Sequence, residues 1–223
     1  MTHAERLHFA LALALLGLVA LVATCSACGA TQHPQRTEAD RANSAVTIAV
    51  QCPDGTQRGS GTVVSHDRVL TAFHVVVCDG GILGPITVSG GDGTWYKADI
   101  DVVVLHLDTV RLRIDGDMTK WMSDVEIGPV PYVGEEVCES TGYPRWTYRC
   151  GRVQPQWDGE GWTRQFRFGF MAEHGNSGAG IYDQHGRLIG LVSQWRACEG
   201  GVNCEGTAHP LEGYEWLVPG PGE

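Results

Sequence analysis

From Ala45 to His209 the chain alternates short runs rich in Val, Ile, Leu, Thr and aromatic residues with breaks marked by glycine, proline or acidic residues. Runs of this kind, recurring about every ten residues, predict strands joined by tight turns. Ala45–Val50 is the first, followed by Gly61–Ser65 and Arg68–Ala72 across a His66-Asp67 turn. Ile86–Ser89, Trp95–Asp99 and Asp101–Leu107 complete a first set, with the glycine pairs 80–81 and 90–91 as turns. Residues 108–128 carry several charges and read as a segment crossing to a second unit. That unit is predicted from Glu136–Tyr143, Tyr148–Gln154, Gln165–Phe170, Gly180–Tyr182, Leu188–Ser193 and Gly206–His209. No stretch between residues 45 and 210 has the apolar period of an amphipathic helix, and Pro210, Gly213 and Pro219 argue against one at 211–217. The expected fold is all-β: two antiparallel six-stranded β-barrels, about 45–110 and about 127–210, with a cleft between them.

The first 27 residues have a different pattern. His3 and Arg6 precede an apolar run from Leu7 to Ala23, which ends among small residues. A basic start, an apolar middle and a small-residue site are the marks of a secretory signal peptide over 1–27. Residues 28–44 are polar and aperiodic, so they read as a flexible tether to a domain spanning 45–218. Cys25 and Cys28, just past the apolar run, are both candidates for lipidation. Release after cleavage, a lipid tether and an uncleaved anchor all stay open. In each case the protein is expected to be exported, with any membrane contact confined to its N-terminal segment.

Composition narrows the partners. Sixteen basic against 26 acidic residues give a net charge of −10 with no cationic run, which argues against nucleic acid. Six further cysteines stand at 52, 78, 138, 150, 198 and 204, an even number that suits an oxidising compartment. Proximity along the chain favours the pairs Cys52–Cys78, Cys138–Cys150 and Cys198–Cys204. A metal site from Cys198, Cys204 and His209 fits no regular zinc spacing, and no metal or organic cofactor is called for.

The candidate chemistry lies in three segments. Gly175-Asn176-Ser177-Gly178 sets a serine between glycines ahead of an apolar strand, the setting an exposed nucleophile needs. His74 closes the apolar run Leu70-Thr71-Ala72-Phe73 and could act as its base. Asp101 opens the strand Asp101–Leu107, and alternation favours it over Asp99, because Val103, Leu105 and Leu107 would then share one face. The order His, Asp, Ser is one of the unrelated orders that build a catalytic triad, so the expected chemistry is acyl transfer through His74, Asp101 and Ser177.

Together Gly59–Ser65, Val69–Val75, Asp101–Leu105, the 136–144 strand ending Thr-Gly-Tyr-Pro and Gly175–Gly178 resemble the trypsin-like (chymotrypsin-fold) serine proteases, most closely the bacterial HtrA-type peptidases. The resemblance covers about residues 45–210 and implies an exported serine endopeptidase acting on protein or peptide substrates. It implies an oxyanion hole from the backbone N–H groups of Gly175 and Ser177 and a substrate pocket walled by Met171, Ala172, Ser193 and Trp195. Asn176 stands where digestive-type members carry an aspartate that captures a new N-terminal amine, so activation by N-terminal insertion is not expected. Ala179 departs from the family's usual Gly-Gly-Pro after the serine. Ala179 leaves one alternative open, a protease fold that only binds a partner; a surface lipoprotein with the triad incidental, and an esterase sharing the mechanism, stay open beside it.

Overall fold

The computed structural model describes residues 44–121, 125–155, 165–169, 173–197 and 203–219, with backbone alone for 195–197 and 203–205. The proposed signal segment, Cys25, Cys28, Met171, Ala172 and Cys198 lie outside the described residues, as do the side chains of Trp195 and Cys204. Among the described residues no helix is long and apolar enough to cross a membrane.

Eight strands come first: β1 (Ala45–Cys52), β2 (Gly55–Ser65), β3 (Arg68–Ala72), β4 (Val77–Cys78), β5 (Ile82–Leu83), β6 (Ile86–Ser89), β7 (Trp95–Val104) and β8 (Thr109–Asp115). Six close into a barrel in the order β1-β2-β3-β8-β7-β6, while β4 and β5 form a separate small hairpin. Six more follow: β9 (Glu136–Thr141), β10 (Thr147–Gln154), β11 (Phe166–Phe168), β12 (Gly180–Asp183), β13 (Leu188–Ala197) and β14 (Asn203–Pro210). They close a second barrel in the order β10-β11-β14-β13-β12-β9, and the neighbouring pairs in both barrels are antiparallel. Closure leaves neither sheet with a free edge to recruit another chain.

The two-barrel architecture agrees with the sequence reading, but the first barrel's wiring does not. Trp95–Asp99 and Asp101–Val104 belong to one strand, β7, with a register shift between Ile100 and Val102 that leaves Asp101 as a bulge residue. Leu105–Leu107 is a helical turn. The sixth strand is instead β8, from the segment expected to cross between units, so the first barrel runs to Asp115 rather than about 110. Its side chains alternate: Val110, Leu112 and Ile114 are buried, while Arg111 and Arg113 face outward. The charges read as a connector are the solvent face of a strand.

Three apolar clusters hold the fold. Val46, Ile48, Val63, Val69, Val110 and Leu112 belong to the first barrel's core, and Val137, Phe166, Phe168, Ile181 and Ile189 to the second's. Between them lies a seam of Val64, Leu70, Leu107, Tyr182, Leu188 and Leu217, to which the terminal helical turn Glu215–Leu217 contributes. Across this seam Thr47 Oγ1 donates to the Gly142 carbonyl at 2.7 Å, fixing β1 against the end of β9.

Two of the expected disulfides are formed: Cys52–Cys78, with Cα atoms 5.6 Å apart, and Cys138–Cys150, a cross-strand pair of β9 and β10. Disulfides persist in oxidising compartments, which is consistent with an extracytoplasmic protein. The first closes a loop of 26 residues around β2, β3 and His74. Replacing both Cys52 and Cys78 by alanine should therefore destabilise the protein by about 2–4 kcal/mol through the freed unfolded chain. Urea denaturation measures this, and an unchanged midpoint would contradict it.

Candidate active site

The site is assembled where strands of the first barrel end over the seam. β3 runs buried through Val69, Leu70 and Ala72, and the chain then makes the helical turn Phe73–Val75. Phe73 packs on the barrel core and Val75 is buried beneath it, which leaves His74 on the rim with its side chain 45% exposed.

Thr109, the first residue of β8, pairs with Ala72 of β3 and with Val104 of β7. Asp108 therefore emerges beside His74, at the end of the Leu105–Leu107 turn. It is the single non-glycine with positive φ among the described residues, at +49°, a conformation aspartate tolerates better than most residues. Its carbonyl accepts from the Phe73 N–H at 2.8 Å. Oδ1 accepts from the His74 backbone N–H at 2.9 Å, and Oδ2 lies 2.6 Å from His74 Nδ1. The Ser193 hydroxyl donates to the same Oδ2 at 2.8 Å. Burial pushes the Asp108 carboxyl up, but the hydrogen bond and charge of His74 and the Ser193 hydroxyl outweigh it and hold it below the ordinary carboxylate range. An ionised Asp108 accepts only, so the hydrogen of this contact is carried by Nδ1 of His74.

Asp101, expected in this position, is elsewhere. At the β7 bulge its Oδ2 lies 2.7 Å from Arg111 Nε and 3.2 Å from Arg68 Nε. Two guanidinium groups occupy the carboxylate, and it makes no contact with His74. The expected alternation after Asp101 fails because Leu105–Leu107 leaves the strand. The signal for Asp108 was present in the strict alternation Val110, Leu112, Ile114 that follows it.

The serine loop is built by glycines. Gly175 and Gly178 have φ of +99° and +83°, and a Cβ at Gly178 would lie 2.1 Å from Thr71 Oγ1 and 2.3 Å from the Ser60 carbonyl. Only glycine can bring this loop so close to the first barrel. The Ser177 carbonyl accepts from the Ser60 N–H at 2.9 Å, and the Gly178 N–H donates to Val192 at 2.7 Å. The fully buried Ser60 hydroxyl donates to the Gly175 carbonyl at 2.8 Å and accepts from the N–H groups of Gly142 and Tyr143. Ser60 thus joins β2, the end of β9 and the serine loop, a part that its place in Gly59-Ser60-Gly61 did not reveal. Among the described residues no acceptor is bonded to the backbone N–H of Gly175 or of Ser177. Ala179 is fully buried in the second barrel's core, so its methyl is accommodated as packing.

His74 and Ser177 line one cleft of about 350 Å³, with His174, Gly175, Ser193 and Gln194. Of the expected pocket residues, Ser193 is present with its hydroxyl turned to Asp108, a role beyond that of a pocket wall. Trp195 is a backbone position on β13 paired with Gly206. Among the described residues no group of His, Cys, Asp and Glu could hold a metal ion.

The family model described as a trypsin-like peptidase domain matches residues 59–191, more than half of the chain. Among solved structures, the chain is similar to the active form of the Rv3671c protease from M. tuberculosis, with 21% identity, a TM-score of 0.65, and 81% of this chain and 82% of that one covered. It is similar to the HtrA-type protease AlgW in complex with a tripeptide, at 20% identity and a TM-score of 0.64, covering 79% of this chain and 60% of that chain. The protease domain of MamO from Magnetospirillum magneticum gives 17% identity and a TM-score of 0.61 over 81% of this chain and 98% of that one. These identities speak to the fold alone, and a search of curated protein sequences returned no match. The match to the family model, over a chain folded as two closed antiparallel barrels, makes this protein a member of the trypsin-like peptidase family.

Proposed function

We propose that the protein is an exported serine endopeptidase in which Ser177, His74 and Asp108 form the catalytic triad. The observation that carries this reading is the chain of contacts from Ser193 through Asp108 to His74 Nδ1, at the rim of the cleft that Ser177 also lines. Nε2 of His74 would take the Ser177 hydroxyl proton as Oγ attacks the scissile carbonyl carbon. Collapse of the tetrahedral intermediate breaks the C–N bond, and His74 passes the proton to the leaving amine. Water, deprotonated by His74 in turn, then releases the acyl group. Asp108 holds the imidazole in the tautomer this needs and stabilises the imidazolium. The N–H groups of Gly175 and Ser177, without acceptors among the described residues, would bind the oxyanion. No step in this scheme uses a metal or organic cofactor.

The signal-like segment 1–27 and the two disulfides support export. A lipid on Cys25 or Cys28 would keep the domain at a membrane surface, and residues 28–44 would give it reach.

A fluorophosphonate probe, which phosphonylates an activated serine as fluoride leaves, tests the reading directly. Incubated with the purified protein, it should form one adduct, located on Ser177 by peptide mass spectrometry and prevented by His74→Ala. No adduct, or an adduct elsewhere, would contradict the assignment.

A further inference from the structure

Asn176 precedes the nucleophile, yet its side chain points away from the cleft and is 2% exposed. Its Nδ2 donates at 3.0 Å to Oε1 of Glu139, a β9 residue with no exposed surface. Oε2 of the same carboxylate lies 2.6 Å from Arg149 Nε on β10. Glu139 and Arg149 face each other across the ladder, one register position from the Cys138–Cys150 disulfide, so a covalent bond fixes the pair's place. Nothing in the triad chemistry uses this carboxylate. A buried charge is expensive unless paired and hydrogen-bonded, and this one holds both a guanidinium and the amide beside Ser177.

We infer that Glu139 is a positioning residue, clamped by Arg149, which fixes the serine loop through Asn176 so that the Gly175 and Ser177 N–H groups face the cleft. The inference rests on the reading of Ser177 as nucleophile. Asn176 N–H bonds to the Glu173 carbonyl and Ala179 N–H to the Asn176 carbonyl, so the residue ties the loop by its backbone on both sides. Its side chain links that backbone directly to the middle of β9. Losing the link would let the turn between Gly175 and Gly178 rotate, and the donors would miss the oxyanion while substrate still bound. The groups facing Glu139 are Arg149 from β10 and Asn176 and Glu173 from the loop. Burial, with a smaller contribution from Glu173, pushes its carboxyl up to about 7 against the opposing pull of Arg149 and Asn176.

The test is a rescue. Asn176→Asp sets a second carboxylate against Glu139 and, at pH values high enough to ionise both, should lower kcat by about 10²-fold, the scale of one lost oxyanion donor, while KM changes by less than about threefold. Adding Glu139→Gln supplies an amide N–H to the new aspartate and should restore kcat at least about tenfold. Glu139→Leu, with no acceptor for Asn176, should repeat the kcat loss in an otherwise native loop sequence, and it replaces the first variant if that one fails to fold. The Glu139→Gln protein should lack the acid-side ionisation that Glu139 contributes to the kcat profile of the unaltered protein.

A double variant as slow as Asn176→Asp overturns the inference. So does a Glu139→Leu protein with unchanged kcat, or one whose loss lies in KM. If the unaltered protein hydrolyses no peptide and takes no fluorophosphonate, the peptidase reading fails, and this inference with it.

Discussion

Replacing Ser177 by alanine is expected to lower kcat by about 10⁶-fold, and His74→Ala by about as much, with the double variant no slower than either alone. The three agree because hydroxyl and imidazole act as a unit. Without Nε2 the hydroxyl keeps its proton, and without the hydroxyl the imidazole has nothing to activate. What survives should be the contribution of the oxyanion donors and of substrate binding, about 10³-fold over water. KM should hold near its original value, since both side chains act on the scissile bond while most of the peptide's contacts lie elsewhere in the cleft. Steady-state kinetics on a cleaved sequence, found by exposing the protein to a peptide library read by mass spectrometry, checks all of this. A Ser177→Ala protein with more than about 1% of the original kcat would remove Ser177 as nucleophile.

The second large effect separates two aspartates seven residues apart in the chain. Asp108→Asn should lower kcat by about 10⁴-fold, because the amide can donate to Nδ1 and so favours the wrong imidazole tautomer. Asp101→Asn should leave kcat within about threefold, because its partners Arg68 and Arg111 lie away from His74. Its consequence is for stability, and at partly exposed ion pairs such losses are about 1 kcal/mol or less. Kinetics of both variants on one substrate decide the matter, and the opposite ranking would restore Asp101 to the triad.

The sign of the pH response follows from the same site. Since His74 and Ser193 hold the Asp108 carboxyl below its ordinary value, its contribution to stability is present above the unfolded value near 3.8 and fades as the pH falls through the folded one. Glu139 runs the other way. With its carboxyl raised to about 7 from 4.5, the folded protein binds the extra proton between those values, so this residue makes stability fall as pH rises across that window.

Most of the second barrel was legible in local pattern. Glu136–Thr141, Thr147–Gln154 and Leu188–Ala197 combine β-branched and apolar residues between turn signals, and each forms a strand close to where the pattern puts it. The proposed nucleophile and base were legible for a related reason: Gly175 and Gly178 around Asn176-Ser177 and an apolar strand ahead of His74 are local requirements of that geometry. The carboxylate that meets His74 was not, because its identity depends on which strand lies beside β3. Asp101-Val-Val-Val-Leu looked like a strand opening on an acid, but its bulge and the turn at Leu105–Leu107 are set by pairing to β8, a contact the local pattern does not encode. Thr109–Ile114 carries the stricter alternation, but the charges of residues 108–128 make it read as a connector, and in the fold its arginines are the outward half of a half-buried strand.

What the sequence by itself determined is the set of elements and the chemistry on offer: strands by their period, turns by glycine, and a serine and a histidine in settings suited to reaction. Spacing favoured the pairs Cys52–Cys78 and Cys138–Cys150 among the fifteen that six cysteines allow, since short loops close most readily, and the fold forms both. Only the tertiary structure decided which carboxylates matter. Strand pairing brings Asp108 to His74 and hands Asp101 to two arginines. Barrel closure buries Glu139 beneath Asn176, where water cannot solvate it and protein groups must. The physical reason is that periodicity records which face of a strand is dry, whereas a charge takes its role from whatever the folded chain places within hydrogen-bonding distance.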